Sequence, residues 1–461
     1  MMAIDYLKLD QIVDSLQEPL IATLQKWVRI NSVKGEAAKN APFGLAVRQA
    51  LDTALADCKA LGFEVRDIDG YAGDAQMGKG EDVLGILAHL DIVPAGDGWK
   101  QDPFGGEIID GRIYGRGTND DKGPAVAALY AMKAVQLAGV ELKKRVRLIL
   151  GCDEESGMED MKYYKEHADM PDTGFSPDAC YPVINTEKGL YQMRLRGPAA
   201  MEGLKVVSID AGQRPNVIPG LASAMVLGNP DTVAKTEEFA KAAGYEVAAE
   251  KLNDGLVKIT AKGVAGHAAM PEIAKNAIGR LLKALEYLGV QGPLKTLAQV
   301  IGTEYDGASL NIAVSDTISG ALTLNIGILK ADEQTVEATL DIRYPVMASP
   351  EAITKAITAA VSPAGLAIVY SASKEPHHVP ESSRLVQSLL DAYHEVTGRE
   401  RKAIAIGGGT YARCLKEGVA FGALFPEDEE LAHQAGEYMT VDGLMKNVKI
   451  FAHAIIKLAA E

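Results

Sequence analysis

Potential ligands recur at one kind of place along this chain: just beyond apolar, strand-like runs, or in turns between elements. His89 and Asp91 follow VLGILA, Asp120 lies in YGRGTNDDKG, Glu154 and Glu155 follow VRLILGCD, Asp178 lies in SPDA, and His433 in LAHQAG. In an open sheet of parallel strands, groups at the carboxyl ends of neighbouring strands splay into a common crevice. Such a sheet would gather these five clusters into one site.

The periodicity of the chain supports that kind of sheet. Val83 to Val93 and Arg145 to Cys152 read as buried strands, and Gly123 to Ala138 reads as an Ala-rich helix that Gly139 ends. Helical residues around Asp160 to His167 precede the strand-like Ala179 to Ile184, which gives the alternation of an α/β domain. From Lys188 the pattern becomes strand-rich, at Tyr191 to Leu195, Leu256 to Ala261, Leu322 to Leu329 and Val336 to Ile342. Helices are expected between these strands at Asp231 to Ala243, Pro271 to Leu288 and Ser349 to Val361. The α/β character returns near Glu381, with a helix to Val396, strands at Lys402 to Ile406 and Val419 to Leu424, and an amphipathic helix from Thr440 to Ala460. The expected fold class is therefore α/β with two domains, since 461 residues exceed what one core usually organises. Residues 1–187 and 381–461 would form a discontinuous catalytic domain, and 188–380 an inserted α+β lid domain. No repeat of fixed period points to a solenoid.

Composition removes several classes of function. Lys and Arg number 47 against 62 Asp and Glu, a net charge of −15, which disfavours nucleic acid and anionic membrane as partners. The N-terminal MMAIDYLKLDQIVDSLQEPL has neither a basic nor an apolar leader region, and the apolar run Gly123 to Met132 is far short of the ~20 residues a membrane-spanning helix needs. Cys58, Cys152, Cys180 and Cys414 are far apart, form no CxxC pair, and read as small apolar core residues of a cytoplasmic protein.

Taken one at a time, the polar clusters have ordinary explanations. A His-x-Asp is more often a hydrogen-bonded structural pair than a metal site. Asp120 and Asp121 suit the cap of the helix that follows, Asp178 suits a turn, and His433 suits a loop. Paired glutamates usually begin a solvated helix, although Glu154 and Glu155 follow an apolar strand almost directly.

In combination, LAHLDIVPAGDGW, YGRGTNDDKGP, GCDEESG, SPDACYPVINTEKG and the late HQAGE resemble, in order, the di-zinc aminoacylase and carboxypeptidase G metallopeptidase family. Within it, GRGTNDDKGP and PDACYPVINTEKG resemble the PepV-type dipeptidases, over nearly the whole chain. The resemblance implies that Asp120 bridges two metals, with His89 and Asp178 completing one coordination sphere and Glu155 and His433 the other. Two imidazoles and three carboxylates suit zinc, with manganese or cobalt also accommodated. Two divalent ions against three carboxylates leave about one positive charge, which favours a bound hydroxide as nucleophile. Glu154, beside a ligand but not itself assigned as one, is the natural general base. Asp91 is placed to fix the His89 imidazole from behind.

Four further features complete the expectation. The resemblance assigns His267, in VAGHAAMPE, to the tetrahedral oxyanion and Asn216, in RPNVIPG, to substrate binding; by itself His267 reads as a helix-entry histidine before Pro271. Arg343, at the end of TLDIRYP, offers the bidentate guanidinium a substrate carboxylate needs, and the matching family arginine has that role. Gly408, Gly409 and Thr410 lack a phosphate-loop spacing but suit a backbone cradle for a carboxylate at the start of a helical YARCLKEG. His377 and His378 read as linker residues, and His167, His394 and His453 as residues of ordinary helices. The leading reading is a monomeric dipeptidase acting on a small dipeptide. Its rivals are an N-acyl amino acid deacylase with the same metals and a non-catalytic metal-binding protein of the same fold. The uncommitted Glu154 argues against the last of these.

Overall fold

The computed structural model describes residues 5–253 and 255–460. It divides into two compact units: residues 1–185, 379–404 and 409–461 form the first, and residues 186–378 with 405–408 the second. The chain thus passes between units four times, because the short segment Ala405–Gly408 belongs with the second unit although its flanks belong to the first.

The first unit is organised by a mixed sheet. Its strands run in the order Glu64–Ile68, Ala72–Met77, Arg145–Gly151, Val83–His89, Thr173–Ser176, Glu417–Phe421 and Val183–Glu187, the last of which leads the chain out of the unit. The four central strands, Arg145–Gly151 through Glu417–Phe421, are mutually parallel. Side chains alternate across the sheet as strand geometry demands. Leu84, Ile86, Ala88, Leu148 and Leu150 join the large core, while Leu87 and Ile149 join a smaller one on the other face with Met161, Tyr164 and Tyr411. The helices Lys122–Leu137 and Val441–Ala459 pack together beside the large core. Lys122–Leu137 is buried nearly all round, which explains why its sequence is Ala-rich rather than amphipathic. Gly139, at φ 67°, follows its end. Cys58 and Cys152 are buried, and all four cysteines are free.

The second unit is an eight-stranded, wholly antiparallel sheet. Its order is Val247–Lys251, Leu256–Lys262, Leu221–Leu227, Val206–Ala211, Thr323–Asp332, Thr335–Tyr344, Gly189–Pro198 and Ala367–Lys374. Helices including Ala277–Tyr287, Gly292–Val300 and Pro350–Val361 supply the other side of its core. The helix expected to open at Pro271 begins later. Pro271–Ile273 is a single 3-10 turn, the backbone at Lys275 is drawn into a bridge with Val264, and Asn276 then caps Ala277–Tyr287 by accepting from Ile278 and Gly279. Likewise, YARCLKEG forms only the 3-10 turn Tyr411–Cys414 before the chain extends into Glu417–Phe421. A turn that short lacks the summed dipole of an α-helix. No helix among the described residues is long and apolar enough to cross a membrane.

One ion pair, buried on its arginine side, ties the sheet of the first unit to a loop. Arg147, 1% exposed, donates to the Asp169 carbonyl at 2.6 Å and to its carboxylate at 2.9 Å, and two further hydrogen bonds reach Gln76. The Arg147 contact pulls the Asp169 carboxyl down to about 2. The folded value lies below the ordinary one, so its stabilisation is present above the ordinary Asp range near 3.9 and fades as pH falls toward 2. D169N should lower stability at pH 7 by roughly 1 kcal/mol, given that Asp169 is largely exposed, and the gap from wild type should close in urea titrations between pH 4 and 2. A gap independent of pH would contradict this account.

Candidate metal centre

The parallel strands of the first unit deliver the candidate ligands at adjacent carboxyl ends. His89 is the last residue of Val83–His89, Glu154 and Glu155 follow Arg145–Gly151, and Asp178 follows Thr173–Ser176. Asp120 comes from the turn before the helix Lys122–Leu137, and His433 from the loop after Ala423–Leu424, with φ 64°.

The structure brings these side chains together around Asp120. One oxygen of its carboxylate, Oδ1, lies 2.9 Å from His89 Nε2, and the other, Oδ2, lies 3.0 Å from His433 Nε2. His433 Nε2 is also 3.0 Å from Glu155 Oε1, and His89 Nε2 is 3.8 Å from Asp178 Oδ2. Donor atoms of His89, Glu154 and Asp178 lie within 4.8 Å of one another, as do those of His89, Asp120 and Glu155. Donors about 2.0–2.1 Å from one ion in a tetrahedron stand about 3.3 Å apart, so these spacings suit a zinc-sized cation.

The charges tell the same story. Burial raises the Glu154 and Asp178 carboxyls well above the usual range, and neighbouring carboxylates add to the effect. Burial and Asp120 similarly raise Glu155. Burial works to lower the His89 imidazole, but hydrogen bonds to Asp120 and Asp91 outweigh it and hold the ring protonated. Asp120 and Glu155 lift His433 to about 10. Without a cation, the cluster therefore keeps protons on groups that a metal would need bare. The donor set fits divalent ions: they would supply the positive charge that those protons now provide.

The ring of His89 is oriented from behind by a backbone group. Nδ1 donates to the Asp91 carbonyl at 2.9 Å, leaving Nε2 for Asp120. The Asp91 carboxylate also faces Nδ1, at 3.5 Å. Its two oxygens accept the backbone N–H groups of Glu154 and Glu155, both at 3.2 Å. Asp91 thus holds the histidine with its main chain and the glutamate turn with its side chain.

Sequence reasoning passed over the residues that brace this cluster. Asp160 Oδ2 accepts from Cys152 N at 2.6 Å and Asp153 N at 2.9 Å, and Tyr411 donates to the same oxygen. Gly151 makes room for them, since a Cβ there would fall 2.2 Å from the Tyr411 hydroxyl. Asp121 Oδ2 accepts the His89 backbone N–H at 3.0 Å. Buried Lys122 reaches back to the carbonyls of Trp27 and Ile30, at 3.1 and 2.7 Å. Only the run of acids in TNDDK and GCDEES hinted at such partners.

The remaining candidates lie elsewhere in the chain. Thr410 and Gly409 belong to the first unit, and Asn216, His267, Arg343 and Gly408 to the second. Val217 pairs with His267 across a short two-stranded ladder, and Ala268 N donates to Asn216 O at 2.9 Å. Arg343 is clasped by Asp341 through Nε and Nη2, and its Nη1 donates to Gly407 O at 2.7 Å. A Cβ on Gly407 would stand 2.9 Å from that of Ala269. Asn216, His267 and Arg343 are thus linked through one local network. His378 pairs with Thr186 at 2.8 Å, and His453 is buried against Asp10 at 3.0 Å.

A two-unit α/β protein with imidazoles and carboxylates clustered at parallel strand ends belongs to the class of metallohydrolase folds. Residues 85–457 match peptidase family M20/M25/M40, and the chain is a metallopeptidase of that family. It is 38% identical over 456 residues to "Putative dipeptidase YtjP" of Bacillus subtilis, covering 96% of this chain and 98% of that one. A Staphylococcus epidermidis protein named "Putative dipeptidase" is 34% identical, covering 96% and 98%. Among solved structures, human carnosine dipeptidase 1 superposes with a TM-score of 0.59 at 15% identity, covering 98% of this chain and 99% of that one. The dipeptidase Dug1p of Saccharomyces cerevisiae gives 0.58 at 16%, with 99% of each covered. These two share the fold.

Proposed function

We propose that this metallopeptidase is a dipeptidase that hydrolyses the peptide bond of free dipeptides at a centre of two divalent cations, zinc foremost, with manganese or cobalt also suited. The observation that carries the reading is the Asp120 carboxylate, whose two oxygens face different histidines. In this reading Asp120 bridges, His89 and Asp178 complete one ligand set, and His433 and Glu155 complete the other. When bound, the two ions would polarise the scissile carbonyl and lower the pKa of water at the site. The names of the relatives from Bacillus subtilis and Staphylococcus epidermidis support dipeptides as the substrate class.

Glu154 acts as the general base. It lies within reach of His89 and Asp178 without being one of the proposed ligands, so it can take a proton from the attacking water and pass it to the leaving amine nitrogen. His267 supplies a donor to the developing oxyanion. Its Nδ1 accepts from Ala269 N at 3.2 Å, which ties the ring to its own turn. Asn216 helps to hold the substrate. Arg343 binds the substrate carboxylate: three of its five N–H donors are committed to Asp341 and Gly407, which fixes the plane in which the other two are offered. Gly408, Gly409 and Thr410 contribute backbone groups to substrate binding.

Three outcomes check this reading. Metal-loaded protein should cleave free dipeptides, and apo protein should not; cleavage confined to N-acetyl or N-succinyl amino acids would reassign it as a deacylase. E154Q should lose about 10²- to 10⁴-fold in kcat while keeping its metal content, and wild-type turnover would remove Glu154 as the base. R343A should raise KM for free dipeptides by about 10- to 100-fold and leave dipeptide amides little affected. Equal losses on both substrates would contradict the carboxylate role.

A further inference from the structure

The turn that carries Asp120 is built around a side chain four residues beyond His433. Glu437 is fully buried. Its Oε1 accepts the backbone N–H groups of Gly117 at 3.0 Å, Asn119 at 2.9 Å and Asp120 at 3.2 Å. Its Oε2 accepts from Arg116 Nη1, and its backbone carbonyl accepts from Gly115 N at 3.0 Å. Beyond these contacts the two segments continue as a ladder, Tyr438 opposite Tyr114 and Met439 opposite Ile113. A single carboxylate therefore fastens the loop bearing His433 to the turn bearing Asp120.

Packing alone does not account for this arrangement. A buried carboxylate and a buried guanidinium lose more hydration than their attraction usually restores, and an apolar pair of similar size often serves stability as well. An apolar pair cannot accept three N–H groups that converge from one turn. Those three bonds fix the main chain at Asp120 itself, and with it the direction in which the Asp120 carboxylate leaves the backbone. That direction matters because Oδ1 and Oδ2 must serve His89 and His433 at once.

We infer that Glu437 is a positioning residue that sets Asp120 against His433, so that the shared carboxylate is preorganised to hold two cations. The inference rests on the metal reading above and adds to it a residue that touches neither metal nor substrate. Its effect belongs in metal affinity, not in turnover once the ions are bound.

The test compares wild type, E437Q and the double variant R116M/E437L. Each protein is stripped with chelator and titrated calorimetrically with Zn²⁺ and with Mn²⁺. The melting temperature of the apo form and dipeptide kcat and KM across metal concentrations are measured alongside. E437Q should weaken the less tightly held ion by about 10- to 100-fold. At saturating metal its kcat should return to within about threefold of wild type with KM unchanged, the pattern of a lost positioning contact and not of a lost chemical group. R116M/E437L removes the buried charge pair together but leaves the Gly117, Asn119 and Asp120 N–H groups without their acceptor, so the apo form should melt below wild type and show a metal defect at least as large as that of E437Q. Wild-type affinity for both ions in both variants would overturn the inference, and so would a kcat deficit that excess metal leaves in place. Wild-type protein that takes up no divalent ion would instead overturn the metal reading, and this inference with it.

Discussion

The arrangement at the strand ends turns on one carboxylate facing two ways. Asp120 presents one oxygen to an imidazole from the end of a core strand and the other to an imidazole from a loop more than three hundred residues later. Around it, Glu154, Glu155 and Asp178 are crowded and desolvated enough to be pushed toward their neutral forms. Such a cluster works against folding unless positive charge is nearby. Protons on His89 and His433 supply that charge in the absence of metal. A pair of cations is the chemically sufficient alternative, and it leaves the imidazoles and carboxylates as ligands.

Holding these groups at fixed spacing is the work of backbone N–H donors. The Asp91 carboxylate takes the amides of Glu154 and Glu155, Asp160 takes those of Cys152 and Asp153, and Glu437 takes those of Gly117, Asn119 and Asp120. Each is an acid anchoring a short segment that carries a proposed ligand. The parallel sheet sets where the strand ends lie, and these anchors set how the main chain leaves them. The Arg343 region in the second unit follows the same logic, with Asp341 and the Gly407 carbonyl fixing a guanidinium plane.

Much of this was legible in the sequence, for identifiable reasons. Central strands buried on both faces are nearly continuous apolar runs, so VLGILA and RLIL announced themselves, and the acids and histidines stood directly after them. The order of motifs sufficed to suggest the family. What the sequence withheld depends on contacts between distant residues. Glu437 stood in a quoted motif, HQAGE, but nothing local distinguishes an acid that anchors three amides from one that faces solvent. The helix expected at Pro271 gave way to a start at Asn276 because a backbone bridge from Val264 to Lys275 competes for the intervening residues. The helical pattern of YARCLKEG yielded to strand at Glu417 because its backbone is claimed by Thr173 and Gly174 in the sheet. The acceptance of the Glu154 and Glu155 amides by the Asp91 carboxylate likewise joins residues more than sixty positions apart.

The central claim is that one carboxylate serves two cations, and metal stoichiometry in two single variants tests it most directly. Protein loaded with zinc, passed through desalting and analysed by atomic absorption should carry two ions per chain in wild type. H433A should carry one, and D120A should carry none. Two ions retained in D120A, or a single ion in wild type, would contradict the account.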